Sequence, residues 1–361
     1  MQPDTPALGA AGLALFLALR SDAIDAVTER FYDIHGPVYA QFGQRGRDAC
    51  RDDLGFHLEF LRPVLEFGLT QPMVDYLRWL ASVLATRDIP AEHLGLSLEW
   101  LAEFFAAHME GADGAAVVAA LHRIKLRFLA SDDALPVQYG MMPKPFPESA
   151  AFESALLAGD RGGAISLFDR CLGQGHSLVE AELHLVQSAL YSIGRKWQNN
   201  EVSVAQEHLA TAISQAVMIQ GLMKTVVPAS NGKRILLACV EGNHHTLGLQ
   251  MVADAFQLSG WEVQCLGGDV PTRSLIAHLT QYRPHLLGLS VSFAQQLRVV
   301  KQIMSLLKPL QDVERPAVIV GGLAVNHFNR LADSLGADGW SPDARSAVAS
   351  AAALPMPSGP G

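Results

Sequence analysis

Residues 235–248 read ILLACVEGNHHTLG, an apolar run followed by a polar loop. Three further apolar runs come after it along the chain: EVQCLG, LLGLSVSF and AVIVGGL. Amphipathic helical segments separate these runs. Strand–helix alternation of this kind predicts right-handed crossovers in a mostly parallel, doubly wound (Rossmann-like) sheet. Ligands of such sheets bind beyond the carboxyl ends of the strands, so the loop from Glu241 to Gly248 is expected to face a ligand.

The rest of the chain has the periodicity of helices. Leu54, Leu58, Leu61 and Leu65 form a stripe at helical spacing, which predicts an all-helical N-terminal domain, with a globin-like arrangement as one option. Shorter helical runs, broken by turns rich in glycine and asparagine, predict a four-helix bundle before the sheet. The predicted segments are an all-α domain at 1–130, a proline-rich linker at 131–148, the bundle at 149–228, the α/β domain at 232–354 and a disordered tail at 355–361.

The composition argues against two classes of partner. The chain of 361 residues has 36 acidic side chains against 27 lysines and arginines, with no basic run, which argues against direct binding of nucleic acid. The apolar segment at 7–19 is too short to span a bilayer, so no membrane role is expected. The cysteines lack C-x-x-C spacing, which is typical of reduced packing residues and predicts a cytoplasmic protein.

A second informative stretch, WQNNEVSVAQEH at 197–208, lies in the predicted bundle. Ser203 opens a capping-box pattern, so a helix is expected to begin there with Glu207 and His208 in or next to its first turn. The positive end of the helix dipole disfavours a protonated imidazole, which leaves a neutral His208 available to bind a metal. Trp197 closes the preceding helix, and its indole is a candidate shield for a group held on that metal.

The loop after the first strand carries candidate metal ligands. Imidazole suits a borderline transition metal, and an acceptor on its other nitrogen fixes the tautomer and the basicity. His244 and His245 are both candidates for the ligand, and Asn243 and Glu241 are candidates for the acceptor. Small residues stand at the ends of the third and fourth strands. They are Ser290, Ser292, Gly321 and Gly322.

The tryptophan followed after nine residues by Glu-His, together with the NHHTLG loop, resembles the light-sensing cobalamin-binding domains. The resemblance implies that His245 binds cobalt from below, that Gly248 lets the chain turn tightly past the corrin, and that the SVS and GG elements surround the nucleotide tail. Asn243 stands where the family has Asp or Glu. Because an amide carries no charge, this departure implies weaker cobalt–nitrogen bonding unless Glu241 substitutes, and His244 is the competing ligand.

For the upper face, the resemblance implies that Trp197, Glu207 and His208 enclose the adenosyl group of adenosylcobalamin. In that family light cleaves the cobalt–carbon bond, the adenosyl group leaves, and the histidine of the Glu-His pair ligates cobalt. His208 is that histidine here. The protein then supplies shielding, ligation and a contact with two states, while the photochemistry belongs to the cofactor.

The N-terminal segment is helical, whereas light-sensing transcription factors of this family carry a basic winged-helix reader before the bundle. In this respect the chain resembles the photocobilins, which bind biliverdin beside cobalamin. A bilin needs cations for two propionates, aromatic walls and a polar partner for its pyrrole nitrogens. Haem on His57 or His93 is one alternative, and covalent bilin attachment through Cys50 is another. The candidate bilin contacts are Arg51, His57, Arg62, Arg78, Trp79 and His93.

These observations predict a light sensor that is not an enzyme, with adenosylcobalamin and biliverdin as chromophores. No cyclase, kinase or DNA-binding segment is recognisable, so the signal is expected to leave through a light-dependent homo-oligomer (dimer or tetramer) or through a protein partner. Two alternatives remain open. One is a corrinoid carrier protein of a methyltransferase system, and the other is a light-insensitive antirepressor that reports cobalamin supply.

Overall fold

The computed structural model of the chain describes residues 7–85, 87–130, 144–199, 201–309, 315–327 and 335–355. By its internal contacts the chain divides into two compact units, residues 1–136 and 137–361. Residues 131–143 of the predicted linker and the predicted tail from residue 356 onward lie outside the described residues. Across the described ranges, no helix is long and apolar enough to cross a membrane.

The first unit is helical, as the leucine periodicity predicts. The four leucines of the stripe lie on one helix, where none is more than 2% exposed, and they pack with Phe16 and Phe105 in a single core. Each such side chain contributes roughly 1.5–3 kcal/mol when buried. The helices are α1 (Ala10–Ala18), α2 (Arg20–Tyr39), α3 (Gly43–Phe67), α4 (Gln71–Ala85), α5 (Ala91–His108) and α6 (Gly111–Leu129).

The second unit begins with a helical bundle that contains a π-helix. Its helices are α7 (Ser149–Leu157), α8 (Arg161–Gly173), α9 (Leu178–Ala181), α10 (Ser188–Gln198) and α11 (Val204–Lys224), and the π-helix Glu182–Gln187 joins α9 to α10. The carbonyl of His184 in the π-helix accepts hydrogen bonds from Phe146 N at 3.0 Å and from Ser149 Oγ at 2.9 Å. The Nδ1 of His184 donates to the Lys144 carbonyl at 2.8 Å. Three hydrogen bonds therefore connect segment 144–149 to His184 of the π-helix.

A five-stranded parallel sheet follows the bundle, with the strand order β2-β1-β3-β4-β5. The strands are β1 (Arg234–Cys239), β2 (Glu262–Cys265), β3 (Leu286–Ser290), β4 (Ala317–Gly321) and β5 (Gly339–Trp340). The helices between and after them are α12 (Leu247–Gln257), α13 (Thr272–Tyr282), α14 (Leu297–Leu307), α15 (Leu323–His327) and α16 (Ala344–Ala353). The four apolar runs form β1 to β4, so the predicted doubly wound sheet is confirmed.

The strand order reverses between β1 and β3, because the chain runs outward from β1 to β2 and returns to the other side of β1. Cys239, Ser290 and Gly321 lie side by side in register at the carboxyl ends of β1, β3 and β4. The loops that leave these strands therefore share one edge of the sheet, where doubly wound folds bind ligands. Met251 and Ala255 of α12 belong to the buried cluster of the bundle, so the bundle and the sheet region share a core.

Candidate functional site

The loop between β1 and α12 is organised around Asn243, whose side chain is fully buried. Its Nδ2 donates to the Ser290 carbonyl at 2.9 Å, and its Oδ1 accepts from the backbone N of His245 at 3.1 Å. The same oxygen lies 3.3 Å from Nδ1 of His245. Because an amide oxygen only accepts, Nδ1 carries the proton and the lone pair is on Nε2. His245 keeps part of its surface exposed, and within the described residues no hydrogen bond involves its Nε2.

Glu241 does not serve as the acceptor for His245. Its Oε2 accepts from the backbone N of Thr272 at 3.2 Å and from the Thr272 hydroxyl at 3.3 Å, at the start of α13. A carboxylate is favoured at this position because it pairs with backbone N–H groups at the positive end of the helix. The sequence-based alternative in which Glu241 replaces the missing acidic residue is therefore wrong. His244 is exposed beside His245.

Charges from two elements act on His245. Burial lowers the pKa of His245, the carboxylate of Glu207 raises it, and His244 lowers it. Coulomb interactions between side chains fall off with distance and with exposure to water. Glu207 at the start of α11 and His245 in the loop after β1 are therefore close enough for their charges to interact.

The start of α11 has the capping box that its sequence predicts. Ser203 is the N-cap: its Oγ accepts from Gln206 N at 3.3 Å, while Gln206 Oε1 accepts from Ser203 N at 3.0 Å. Glu207 Oε2 accepts from Nδ1 of His208 at 2.6 Å, and Oε1 accepts from the Thr211 hydroxyl at 2.9 Å. The His208 side chain is 75% exposed. The sequence predicts a neutral His208 from the helix dipole, and the structure adds a carboxylate on Nδ1 that leaves the lone pair on Nε2.

Trp197 is the penultimate residue of α10, as predicted, and it is half-buried against the bundle core. Its position at the end of this helix puts it one short turn before the start of α11.

Three glycines of the predicted site differ in how much space the surrounding backbone leaves for a side chain. Gly322 has φ +97°, and a Cβ there would lie 2.4 Å from the Val291 carbonyl oxygen, so the backbone itself demands glycine. A Cβ at Gly321 would lie 3.2 Å from the Ser341 carbonyl oxygen. Gly248 is the second residue of α12 and has no positive φ, so its backbone conformation alone does not require glycine. A Cβ at Gly248 would meet nothing within 4 Å, which leaves open space above the helix start.

Three side chains of the site escaped the sequence reasoning. Gln296 donates to the Gly242 carbonyl at 2.7 Å, and Asp269 Oδ1 accepts from Gly242 N at 2.7 Å. Phe293 meets the His245 ring edge-on, with the centroids 5.2 Å apart. None of these residues belongs to a motif, and only the pairing of the loops in space brings them to His245.

Four of the bilin candidates, His57, Arg62, Arg78 and Trp79, lie in the C-terminal half of α3 or on α4. His57 is 1% exposed, with its Nδ1 3.0 Å from the hydroxyl of Tyr76, and burial lowers the pKa of His57 to about 4. Arg62 pairs with Glu66 of its own helix at 2.9 Å, and Arg78 lies 3.9 Å from Asp75. Trp79 stands 6.3 Å from Tyr76 between ring centroids. Nε2 of His57 and Nε of Arg78 are buried without a hydrogen-bond partner among the described residues.

The other two candidates belong to different surroundings. Arg51 pairs with the exposed carboxylate of Asp25. His93 lies in an aromatic cluster of α2 and α5, bonded through Nδ1 to the Tyr39 hydroxyl and 4.4 Å from the His35 ring. The structure therefore does not gather all six candidates into one site.

Two further features bear on a ligand of the first unit. Burial raises the pKa of the Cys50 thiol to about 11, which keeps it protonated and counts against covalent attachment there. A cavity of about 230 Å³ in this unit is smaller than the roughly 300–1,000 Å³ of most small-molecule sites. It is lined by Ala26, Val27, Arg30, Trp100, Glu103 and Phe104.

Comparison with known proteins gives consistent matches in the second unit. Models of the B12 binding domain match residues 233–349 and, in a second form, residues 149–220. The dimethylamine corrinoid protein of Methanosarcina barkeri is 31% identical over 166 residues, which are 43% of this chain and 77% of that protein. A corrinoid protein of Desulfitobacterium hafniense is 24% identical over 200 residues, covering 54% of this chain and 92% of that protein.

A third relative is the HTH-type transcriptional repressor CarA of Myxococcus xanthus. It is 35% identical over 137 residues, or 38% of this chain. The match spans 46% of the length of the repressor, so less than half of that protein has a counterpart here.

Proposed function

Because this chain belongs to the family of cobalamin-binding corrinoid proteins, we propose that it is a light sensor with adenosylcobalamin as its chromophore. The observation that carries the proposal is the Glu207–His208 pair at the start of α11, where a carboxylate 2.6 Å from Nδ1 holds an exposed imidazole. The charge of Glu207 also acts on His245. A corrinoid with one protein ligand needs only one of these histidines, whereas a sensor that exchanges its upper ligand uses both.

The residues at the sheet edge fit a cobalt corrin. Nε2 of His245 is a neutral nitrogen donor of the kind that borderline metals accept, and Asn243 holds the ring from behind. The open space above Gly248 admits a flat group beside the imidazole. Ser290, Ser292, Gly321 and Gly322 line the ends of β3 and β4, where the resemblance puts the nucleotide tail.

Each residue of the upper face has a proposed role. When bound, adenosylcobalamin supplies a cobalt–carbon bond that light cleaves. Trp197 shields the upper group, Glu207 orients the imidazole through Nδ1, and His208 offers Nε2 as the ligand after photolysis. His245 remains the lower ligand throughout. The chain then acts as a signalling protein and not as an enzyme, with a light-dependent homo-oligomer or a protein partner as its output.

Biliverdin is the second chromophore that we propose, in the helical unit. Its support is the pair of buried, unpartnered polar atoms on α3 and α4, Nε2 of His57 and Nε of Arg78, beside the rings of Tyr76 and Trp79. Buried polar atoms are usually hydrogen-bonded, so two without partners suggest a missing polar ligand. Adding biliverdin to the apo-protein should produce red absorption, and a Soret band formed only with added haem would contradict the proposal.

Illumination tests the light-sensor function. The full chain loaded with adenosylcobalamin should change its absorption spectrum under green light and change its elution volume in size-exclusion chromatography. His208→Ala should bind in the dark with the same affinity but give a different photoproduct spectrum, because the second imidazole is absent. His122→Ala, which removes an exposed histidine of α6 that also lies beside a carboxylate, is the matched control. If green light leaves the absorption spectrum of the loaded wild type unchanged, the light-sensor function is wrong.

A second candidate function is a corrinoid carrier for methyl transfer. It is favoured by the match to the dimethylamine corrinoid protein, which covers 77% of that protein. A carrier needs an accessible upper face for its methyltransferase, so His208→Ala should then leave every spectrum unchanged. Cobalamin binding that alters assembly equally in darkness and light would instead favour an antirepressor.

A further inference from the structure

One buried side chain ties the loop after β1 to the loop after β3. Gln296 closes the 3-10 turn Ala294–Gln296 and is 7% exposed. Its Nε2 donates to the Gly242 carbonyl at 2.7 Å. Its Oε1 accepts from the backbone N of Ser292 at 3.0 Å and of Phe293 at 3.1 Å. A single amide therefore donates to one loop and accepts from the other.

The residues that Gln296 holds are connected to His245 on two sides. Gly242 directly precedes Asn243, whose Oδ1 faces Nδ1 of His245. The backbone of Phe293 is held by the glutamine, and the Phe293 ring meets the imidazole edge-on at 5.2 Å with an interplanar angle of 77°. Rotation of the imidazole is thus limited on one side by an amide oxygen and on another by an aromatic ring.

The chemistry at this position requires an amide. The Gly242 carbonyl needs a donor, and the backbone N–H groups of Ser292 and Phe293 need an acceptor, so one residue must supply both. A glutamate would keep the acceptor but direct a charge at the Gly242 carbonyl. A methionine would fill the same volume and satisfy neither loop, which leaves buried polar groups unpaired.

We propose that Gln296 is a positioning residue for the lower axial ligand, which sets the direction of His245 through the Gly242 carbonyl and the Phe293 ring. The proposal rests on the proposed function, because His245 ligates cobalt only if the chain binds a corrinoid. Residues that orient a metal ligand from behind change metal affinity by roughly 10- to 100-fold when they are replaced.

Electron paramagnetic resonance of cob(II)alamin identifies the axial nitrogen. Full-length protein labelled with ¹⁵N, loaded with unlabelled cofactor, gives doublet splitting when a protein histidine is the ligand and triplet splitting when the base of the cofactor is. The wild type should give the doublet. Gln296→Glu and Gln296→Met should lower the doublet fraction at least fivefold, while the exposed control Gln302→Met on α14 should keep it.

Further readouts separate positioning from simple loss of structure. In the apo-protein, the ¹⁵N shifts of the His245 ring should report a single tautomer with Nδ1 protonated, and mixed tautomers in the Gln296 variants. Phe293→Ala removes an exposed ring and should lower the doublet fraction by an intermediate amount even if the Gln296 variants unfold. A wild type without the doublet would overturn the ligand assignment itself. A wild-type doublet that all three variants retain would overturn the role of Gln296.

Discussion

Asn243 performs at one residue two tasks that an ionised carboxylate cannot combine. Its oxygen accepts from the backbone and ring of His245, while its Nδ2 donates to the Ser290 carbonyl at the end of β3. The sequence predicts weaker cobalt–nitrogen bonding because the amide of Asn243 is uncharged. The same amide provides the N–H group that bonds to the Ser290 carbonyl. The residue that holds the candidate ligand is thereby anchored in the sheet.

Asn243→Asp should therefore weaken the site, although it restores the acidic residue of the resembling family. The ionised carboxylate would face the Ser290 carbonyl in a fully buried position, which costs roughly 1–3 kcal/mol of unfolding free energy. The loss should be smaller at pH 5 than at pH 8, because a protonated aspartic acid can again donate. Chemical denaturation at both pH values measures this. A variant more stable than the wild type at pH 8 would contradict the argument.

Two glycines should respond to alanine in opposite ways. Gly322→Ala should lower the unfolding free energy by about 1–3 kcal/mol, because the backbone has φ +97° and the new Cβ would strike the Val291 carbonyl.

Gly248→Ala, in a helix with open space around it, should leave stability equal or raise it by up to about 1 kcal/mol. It should still weaken cobalamin binding if the corrin occupies that space. Thermal melts measure the stability of both variants, and spectrophotometric titration measures their cobalamin binding. Undiminished binding by Gly248→Ala would show that the corrin does not occupy the space beside Gly248.

At the scale of elements, the bundle meets α12 across two buried acids. Glu182 begins the π-helix and is 0% exposed, and Asp254 on α12 is 1% exposed. Burial and then the charge of Asp254 raise the pKa of Glu182 to about 10, and burial raises that of Asp254, with Glu182 and Gln250 opposing it through hydrogen bonds. Because a neutral Glu182 carries an O–H donor, we predict that it shares its proton with Asp254 and so couples the two elements.

The shared proton makes the stability of the second unit depend on pH. The pKa of Glu182 is higher in the folded protein than its ordinary value of 4.5, so stability falls as pH rises from about 4.5 towards about 10, by at most about 1.4 kcal/mol per pH unit. Glu182→Gln should flatten this slope between pH 6 and 9. Urea denaturation across that range measures it. The control Glu180→Gln changes a half-exposed acid whose pKa is lowered by its hydrogen bonds to Ser177, and equal slopes in all three proteins would refute the shared proton.

At the scale of the whole molecule, the sequence predicts the parts that depend on repetition. The leucine stripe of α3, the four apolar runs of the sheet and the capping box at Ser203 are local patterns, and the structure has each of them. The two-residue strand β5 has no apolar run, and the π-helix has no spacing of its own. Gln296 and Asp269 matter only through the packing of loops that lie far apart in sequence, which no local pattern encodes.

The π-helix also has a mechanical consequence. Its His184 carbonyl holds Phe146 and Ser149, and its first residue, Glu182, borders α12. A pull on the chain before Lys144 would load this turn first, since three hydrogen bonds connect segment 144–149 to His184. Because Glu182 lies two residues before His184 on the same π-helix, a displacement of segment 144–149 would also move the acid that interacts with Asp254 of α12.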